Sequence, residues 1–146
     1  MPSSRKGGLP RVVGLFRAPK KNAPMQRLRA ATLLEDSGVE GDRKAKAGSA
    51  RQVLLVAAED AAALGVNPGD LRENVTTLGI DYPSLPPGTR LRLGEAIVEL
   101  TAPCSPCAKL NRVRDGLMRD SRGRRGVLAR VVRGGTVRTG DAVGVE

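Results

Sequence analysis

The sequence contains no histidine and no tryptophan, one phenylalanine (Phe16), one tyrosine (Tyr82) and only two cysteines. Histidine is the side chain that most readily exchanges a proton near neutral pH, and it is the commonest metal ligand. Without it, two cysteines cannot complete a four-ligand nitrogen/sulfur zinc site in one chain, which leaves only a four-cysteine site shared between two chains. Two closely spaced cysteines also fall short of the disulfide framework of a small secreted protein. The scarcity of aromatic rings requires a core built from Val, Leu, Ile and Ala. No apolar run approaches the ~20 residues that span a bilayer. The opening Met1–Gly8 segment lacks the apolar stretch of a secretion signal. Together these absences point to a cytoplasmic location without membrane contact.

What is present is charge. Lys and Arg number 25 against 15 Asp and Glu, a net charge of +10 over 146 residues. Such a surface attracts anions: nucleic acid, anionic lipid or phosphate-bearing small molecules. It also suits a soluble face with no partner at all. Eight arginines lie between Arg112 and Arg133. The chain length fits a single domain, and the 40% hydrophobic content is enough for a packed core.

Residues 1–8, rich in Ser, Gly and basic residues, read as a disordered tail ahead of one domain over 9–146. Arg11–Phe16 and Ala30–Leu34 read as strands. Gln52–Val56 is a continuous apolar run that enters an alanine-rich helix over Ala57–Leu64, closed by Gly65. Arg90–Leu93 alternates, Gly94-Glu95 turns, and Ala96–Thr101 returns as a hairpin. Val127–Val132, a Gly134-Gly135 turn and Thr136–Val137 suggest a second hairpin, with a last strand over Ala142–Val145. A short helix is expected over Asn111–Met118. Many short strands at turn-marked intervals, with one or two short helices, argue for a mainly β, closed or nearly closed barrel.

The chemistry concentrates in Thr101-Ala-Pro-Cys-Ser-Pro-Cys-Ala-Lys-Leu110. A Cys-x-x-Cys pair serves as half a zinc site, as a dithiol redox couple, or as a reactive thiolate with a helper. Both cysteines could instead be small buried hydrophobes. Pro103 and Pro106 favour a fixed loop over a continued strand and so favour a functional thiol.

The ordered set of Gly38-Val-Glu-Gly-Asp-Arg43, Arg51-Gln-Val-Leu-Leu55, Gly69-Asp-Leu-Arg-Glu-Asn-Val-Thr-Thr77, the Leu85–Gly94 hairpin entry, the Thr101–Cys107 loop, Gly123-Arg-Arg-Gly126 and Gly140-Asp141 resembles the MOSC domain family. That family is named for the C-terminal domain of molybdenum cofactor sulfurases. The resemblance implies a MOSC-type β-barrel, with a reactive cysteine for sulfur transfer or for binding molybdenum cofactor. By position, Cys107 corresponds to the family cysteine and would be both the catalytic sulfur and the metal ligand. Cys104 resembles a second cysteine of compact members, a resolving thiol or sulfur relay. Where the family commonly carries a histidine after Gly-Asp-Arg, this chain reads Lys44-Ala-Lys-Ala-Gly48. The pyridoxal-phosphate domain of some relatives is missing, so any sulfur donor, such as a cysteine desulfurase, would be a separate partner.

Candidate contacts to an anionic pterin or phosphate follow from side-chain type. Arg43, Arg51 and Arg72 are fork-shaped donors suited to oxyanions. Asn74 offers a donor and an acceptor to a pterin-like edge, or stabilises a turn. Lys109 and Arg112 follow Cys107 closely, and their charge favours the thiolate. Cys107 would then carry sulfur as a persulfide to a metal–sulfur centre, or hold the cofactor for reduction of N-hydroxylated compounds. The alternatives are a basic nucleic-acid-binding barrel, which the lack of aromatics opposes, and a dithiol redox protein needing both cysteines.

Overall fold

A computed structural model describes residues 9–146; the tail expected over residues 1–8 lies outside them. The order is β1 (Arg11–Arg17), β2 (Gln26–Arg27), β3 (Ala30–Leu34), β4 (Gly38–Val39), β5 (Val53–Ala57), α1 (Ala58–Ala63), β6 (Val75–Leu78), β7 (Arg90–Leu93), β8 (Ala96–Pro103), α2 (Leu117–Asp120), β9 (Val127–Arg133), β10 (Gly135–Arg138) and β11 (Val143–Val145). Short 3₁₀ turns occupy Tyr82–Ser84 and Ala108–Arg112. The eight-stranded sheet runs β11-β7-β8-β9-β5-β6-β1-β2, and a smaller sheet runs β10-β3-β4.

The large sheet curls until its ends nearly meet. Arg11 bridges Ala142. Val12 N–H donates to Asp141 O at 2.9 Å, and Gly140 N–H returns to Val12 O at 2.8 Å. These bonds satisfy backbone groups that would otherwise form an open edge. The result is the mainly β, nearly closed barrel that the sequence suggests.

β5 explains how the barrel acquires a second, outer core. All five of its residues are buried. Because successive side chains point to opposite faces, Val53, Leu55 and Ala57 enter the barrel interior with Leu15, Leu91 and Val98. Leu54 and Val56 face outward and meet Leu64, Leu71, Leu110, Leu117 and Leu128. A run without polar alternation is therefore a strand covered on both sides. Part of its cover, Leu110 and Leu117, comes from the segment that follows the cysteines.

Two expectations need correction. Val127–Val132 and Thr136–Val137 are not partners in a hairpin: β9 pairs with β8 and β5, whereas β10 pairs with β3. The chain passes between sheets at Gly134-Gly135, where a Cβ on Gly134 would lie 2.8 Å from Leu33 O. The helix over Asn111–Met118 is broken into the 3₁₀ turn and the single turn of α2, with Gly116 at φ +77° between them. β6, which overlaps the Gly69–Thr77 motif, pairs in parallel with β5 across α1 through Val75, Thr76 and Thr77.

Candidate functional site

The cysteine-bearing segment leaves the barrel at the end of β8 and arches over the outer core. Cys104 N–H donates to Gly126 O at 2.8 Å, which ties the start of the arch to the approach to β9. Gly126 has φ +112°, and a Cβ there would meet Leu55 O at 2.5 Å, so only glycine admits this approach. Leu110 and Leu117 then anchor the arch, each buried to 2% exposure or less. Burying two such side chains contributes roughly 1.5–3 kcal/mol each. Arg114 fixes the far end: its Nε donates to Leu64 O at 3.0 Å and its Nη1 pairs with Asp120 at 3.1 Å. Hydrogen bonds from Arg119 first and Arg114 second hold the exposed Asp120 carboxyl below its ordinary range.

On this arch the two thiols have different surroundings. Both are free. Cys107 is exposed and caps the Ala108–Arg112 turn with extended backbone. Cys104 is half-buried, packs against the outer core and lines a cavity of about 480 Å³. The charges downstream of Cys107 are largely directed elsewhere. Lys109 Nζ donates to Asn22 Oδ1 at 3.3 Å, and Arg114 is occupied as described.

A second hollow of about 490 Å³ lies on the other flank of the arch. It brings together Arg72, Lys109 and Arg112, three of the expected anion contacts, with Asp70 the acidic residue in its wall. Arg72 adopts φ +60°, a conformation uncommon for a residue with a side chain. Its Nη2 donates to Ala23 O at 2.8 Å. Burial, followed by the neighbouring charge of Arg43, lowers the Arg72 pKa, and Arg125 adds to this while Asp42 opposes it. Lys44 is lowered for the same leading reason, burial, with Asp42 opposing and Arg43 and Arg72 reinforcing. The lysine at the position where a histidine was expected thus belongs to a cationic neighbourhood with Arg43, Arg72 and Arg125. Its ammonium lies 3.5 Å from the buried Asp42 carboxylate.

The remaining expected contacts are placed differently. Arg51 is exposed at the start of β5 and lines neither hollow. Asn74 is 1% exposed, and its amide joins two strands: Oδ1 accepts from Leu54 N–H at 3.0 Å and Nδ2 donates to Phe16 O at 3.2 Å. The structure therefore gives Asn74 the role of a brace and not that of a pterin contact. Glu73 and Gln52, which the motifs contain without an assigned role, are also internal. Glu73 Oε2 accepts from Gly69 N–H and Thr76 Oγ1, and Gln52 connects Asp36, Lys46 and Val131.

Arg125 escaped the sequence reading. It is 7% exposed, lines the Cys104 cavity, and has two guanidinium nitrogens (Nε and Nη1) enclosed without a hydrogen-bond partner. The doublet Arg124-Arg125 between Gly123 and Gly126 was visible, but nothing in it says which arginine turns inward. Asp60 and Tyr82 share the cavity wall. Burial raises the Asp60 carboxyl above its usual range, opposed by Arg124. Burial also pushes the Tyr82 phenol far upward, so it stays neutral, bonded to Thr77 at 2.7 Å.

Among the described residues, no group of three or more Cys, Asp or Glu side chains is placed to hold a metal ion, and no helix is long and apolar enough to cross a membrane. The soft protein donors available to a metal here are the thiols of Cys104 and Cys107. The remaining ligands would arrive with a cofactor.

Residues 42–144 match the profile of the MOSC domain. The fold is similar to the YuaD protein from Bacillus subtilis, with a TM-score of 0.78 and 25% identity over 93% of this chain and 94% of that one. It is similar also to YiiM from Geobacillus stearothermophilus (TM-score 0.75, 18% identity, 94% and 75% covered) and to YiiM from Escherichia coli (0.68, 24%, 93% and 69%). No match was found among curated proteins.

Proposed function

The chain belongs to the MOSC domain family, whose members are linked to molybdenum cofactor and sulfur-related functions, and from that premise we propose that Cys107 is its working sulfur. In this reading Cys107 holds a soft partner, either a sulfane sulfur or the molybdenum of a bound cofactor. The observation that carries it is the exposed Cys107 thiol on a proline-braced arch whose continuation contributes Lys109 and Arg112 to the hollow shared with Arg72. A carrier sulfur must be reached by both donor and acceptor, and a thiolate is the soft donor that molybdenum accepts.

As a sulfur carrier, the Cys107 thiolate attacks the outer sulfur of a persulfide on a separate donor such as a cysteine desulfurase. The donor S–S bond breaks, the donor thiolate leaves, and Cys107–S–S⁻ forms with no net oxidation. As a cofactor site, Cys107 would supply one ligand, and Arg72, Lys109 and Arg112 would receive the anionic pterin phosphate. Bound molybdenum would supply the two-electron chemistry needed to reduce an N-hydroxylated compound. The donor set fits such a group: it offers a soft thiol ligand and a cationic hollow.

Intact mass and metal analysis test this on protein purified from a host able to make the cofactor. Wild type should carry molybdenum, or gain about 32 Da, one sulfur atom, after exposure to a persulfide donor. Cys107→Ser should lose both, whereas Cys104→Ser should retain them. Wild type with neither molybdenum nor added sulfur defeats the reading. Equal dependence on both cysteines would favour a dithiol couple instead.

A further inference from the structure

We propose that the cavity beside Cys104 is a binding site for a small organic oxyanion, anchored by Arg125 and separate from the cationic hollow on the other flank of the arch. The argument begins with charge. Arg125 is nine-tenths buried and forms no ion pair among the described residues. Two of its nitrogens are enclosed without a hydrogen-bond partner. The nearby side chains whose charge it feels include Arg72, so its surroundings aggravate the imbalance. Buried charges in folded proteins are normally paired, and a buried guanidinium without a carboxylate is a position where an anion is missing.

The cavity supplies the rest of the ligand's outline. Its volume of about 480 Å³ lies in the range of small-molecule sites. Its wall is largely apolar, including Leu85, Leu100, Val127 and a rim of prolines. The Asp60 carboxylate at the same wall opposes a second negative charge. The ligand that fits has one carboxylate or phosphate head and an uncharged apolar body, and it lies against the Cys104 thiol. Nothing in this argument involves Cys107, so the inference goes beyond the function proposed above.

Titration of the purified full chain with benzoate, phenyl phosphate and neutral benzamide, followed by amide NMR, tests it. Both anions should bind saturably and shift resonances of residues 102–106 and 123–127, with benzamide at least tenfold weaker. Benzoate tighter than phenyl phosphate would assign a carboxylate ligand; the reverse order would assign a phosphate. Arg125→Met should abolish anion binding and leave the melting temperature unchanged or higher, because an unpaired buried charge is removed. Arg125→Lys, which keeps a charge and loses the fork, should bind at least fivefold more weakly than wild type. Equal binding of benzamide, shifts confined to the exposed arginines, or no saturable binding of either anion would each overturn the proposal. So would an Arg125→Met protein that melts well below wild type, since the guanidinium would then be structural.

Discussion

Two groups of polar residues lie in the motif-bearing segments and along the thiol arch, and the structure treats them in opposite ways. Asp42, Gln52, Glu73 and Asn74 are buried and hydrogen-bonded to backbone and neighbouring side chains of the barrel. Along the arch and its flanks, Cys107 and Arg112 are exposed and Arg125 is buried without a partner. The first group closes the fold; the second leaves its chemistry available. Residue type does not distinguish the two; hydrogen bonds do, except that Glu73 Oε1 is buried without a partner, as Nε and Nη1 of Arg125 are.

That contrast can be broken most forcefully at Asn74. Asn74→Ala leaves Leu54 N–H and Phe16 O unpaired inside the barrel, and should destabilise the fold by about 2–4 kcal/mol in urea unfolding. A loss below about 0.5 kcal/mol would place Asn74 with the available group after all. Leu110→Ala comes next, at about 2–4 kcal/mol, since it opens a cavity under the arch. It should also speed alkylation of Cys104 more than that of Cys107; equal acceleration would show that the arch does not rest on this contact.

Lys44 sharpens the comparison through pH. Burial lowers its pKa below that of the unfolded chain, so the folded protein sheds this proton first. Between the lowered value and the ordinary lysine range the unfolded state binds more protons, and stability rises with pH. Lys44→Met should remove this alkaline rise in a series of melting temperatures. A rise that persists would assign it to another group. The smallest effect belongs to Cys107→Ser, expected within about 0.5 kcal/mol of wild type because the side chain is exposed. In native protein Cys107 should react with a bulky thiol reagent well before Cys104, which mass mapping would show; the reverse order would contradict the exposure.

Much of the barrel was legible because local signals and tertiary pairing agree. Arg90–Leu93 alternates, Gly94-Glu95 turns, and β7 and β8 pair as that pattern requires. The Gly134-Gly135 turn misled because glycine marks a bend without saying which sheet the chain joins next. Of the candidate site, the sequence points to the thiol loop and to Arg72, Lys109 and Arg112, which the fold brings to one hollow. Residue type leaves Asn74 open to a ligand contact or a structural role, and its bonds to Phe16 in β1 and Leu54 in β5 exist only once the fold brings those strands beside it.

The sequence by itself determined a histidine-free chemistry, a cationic surface, a strand-rich chain and a proline-braced pair of thiols, since each depends on composition or on neighbours a few residues apart. Which thiol faces solvent, which arginine turns inward, and which polar residues close the barrel were decided by tertiary structure. Those outcomes depend on burial and on backbone partners as much as 79 residues away, as for Gln52 and Val131, and no local pattern encodes them.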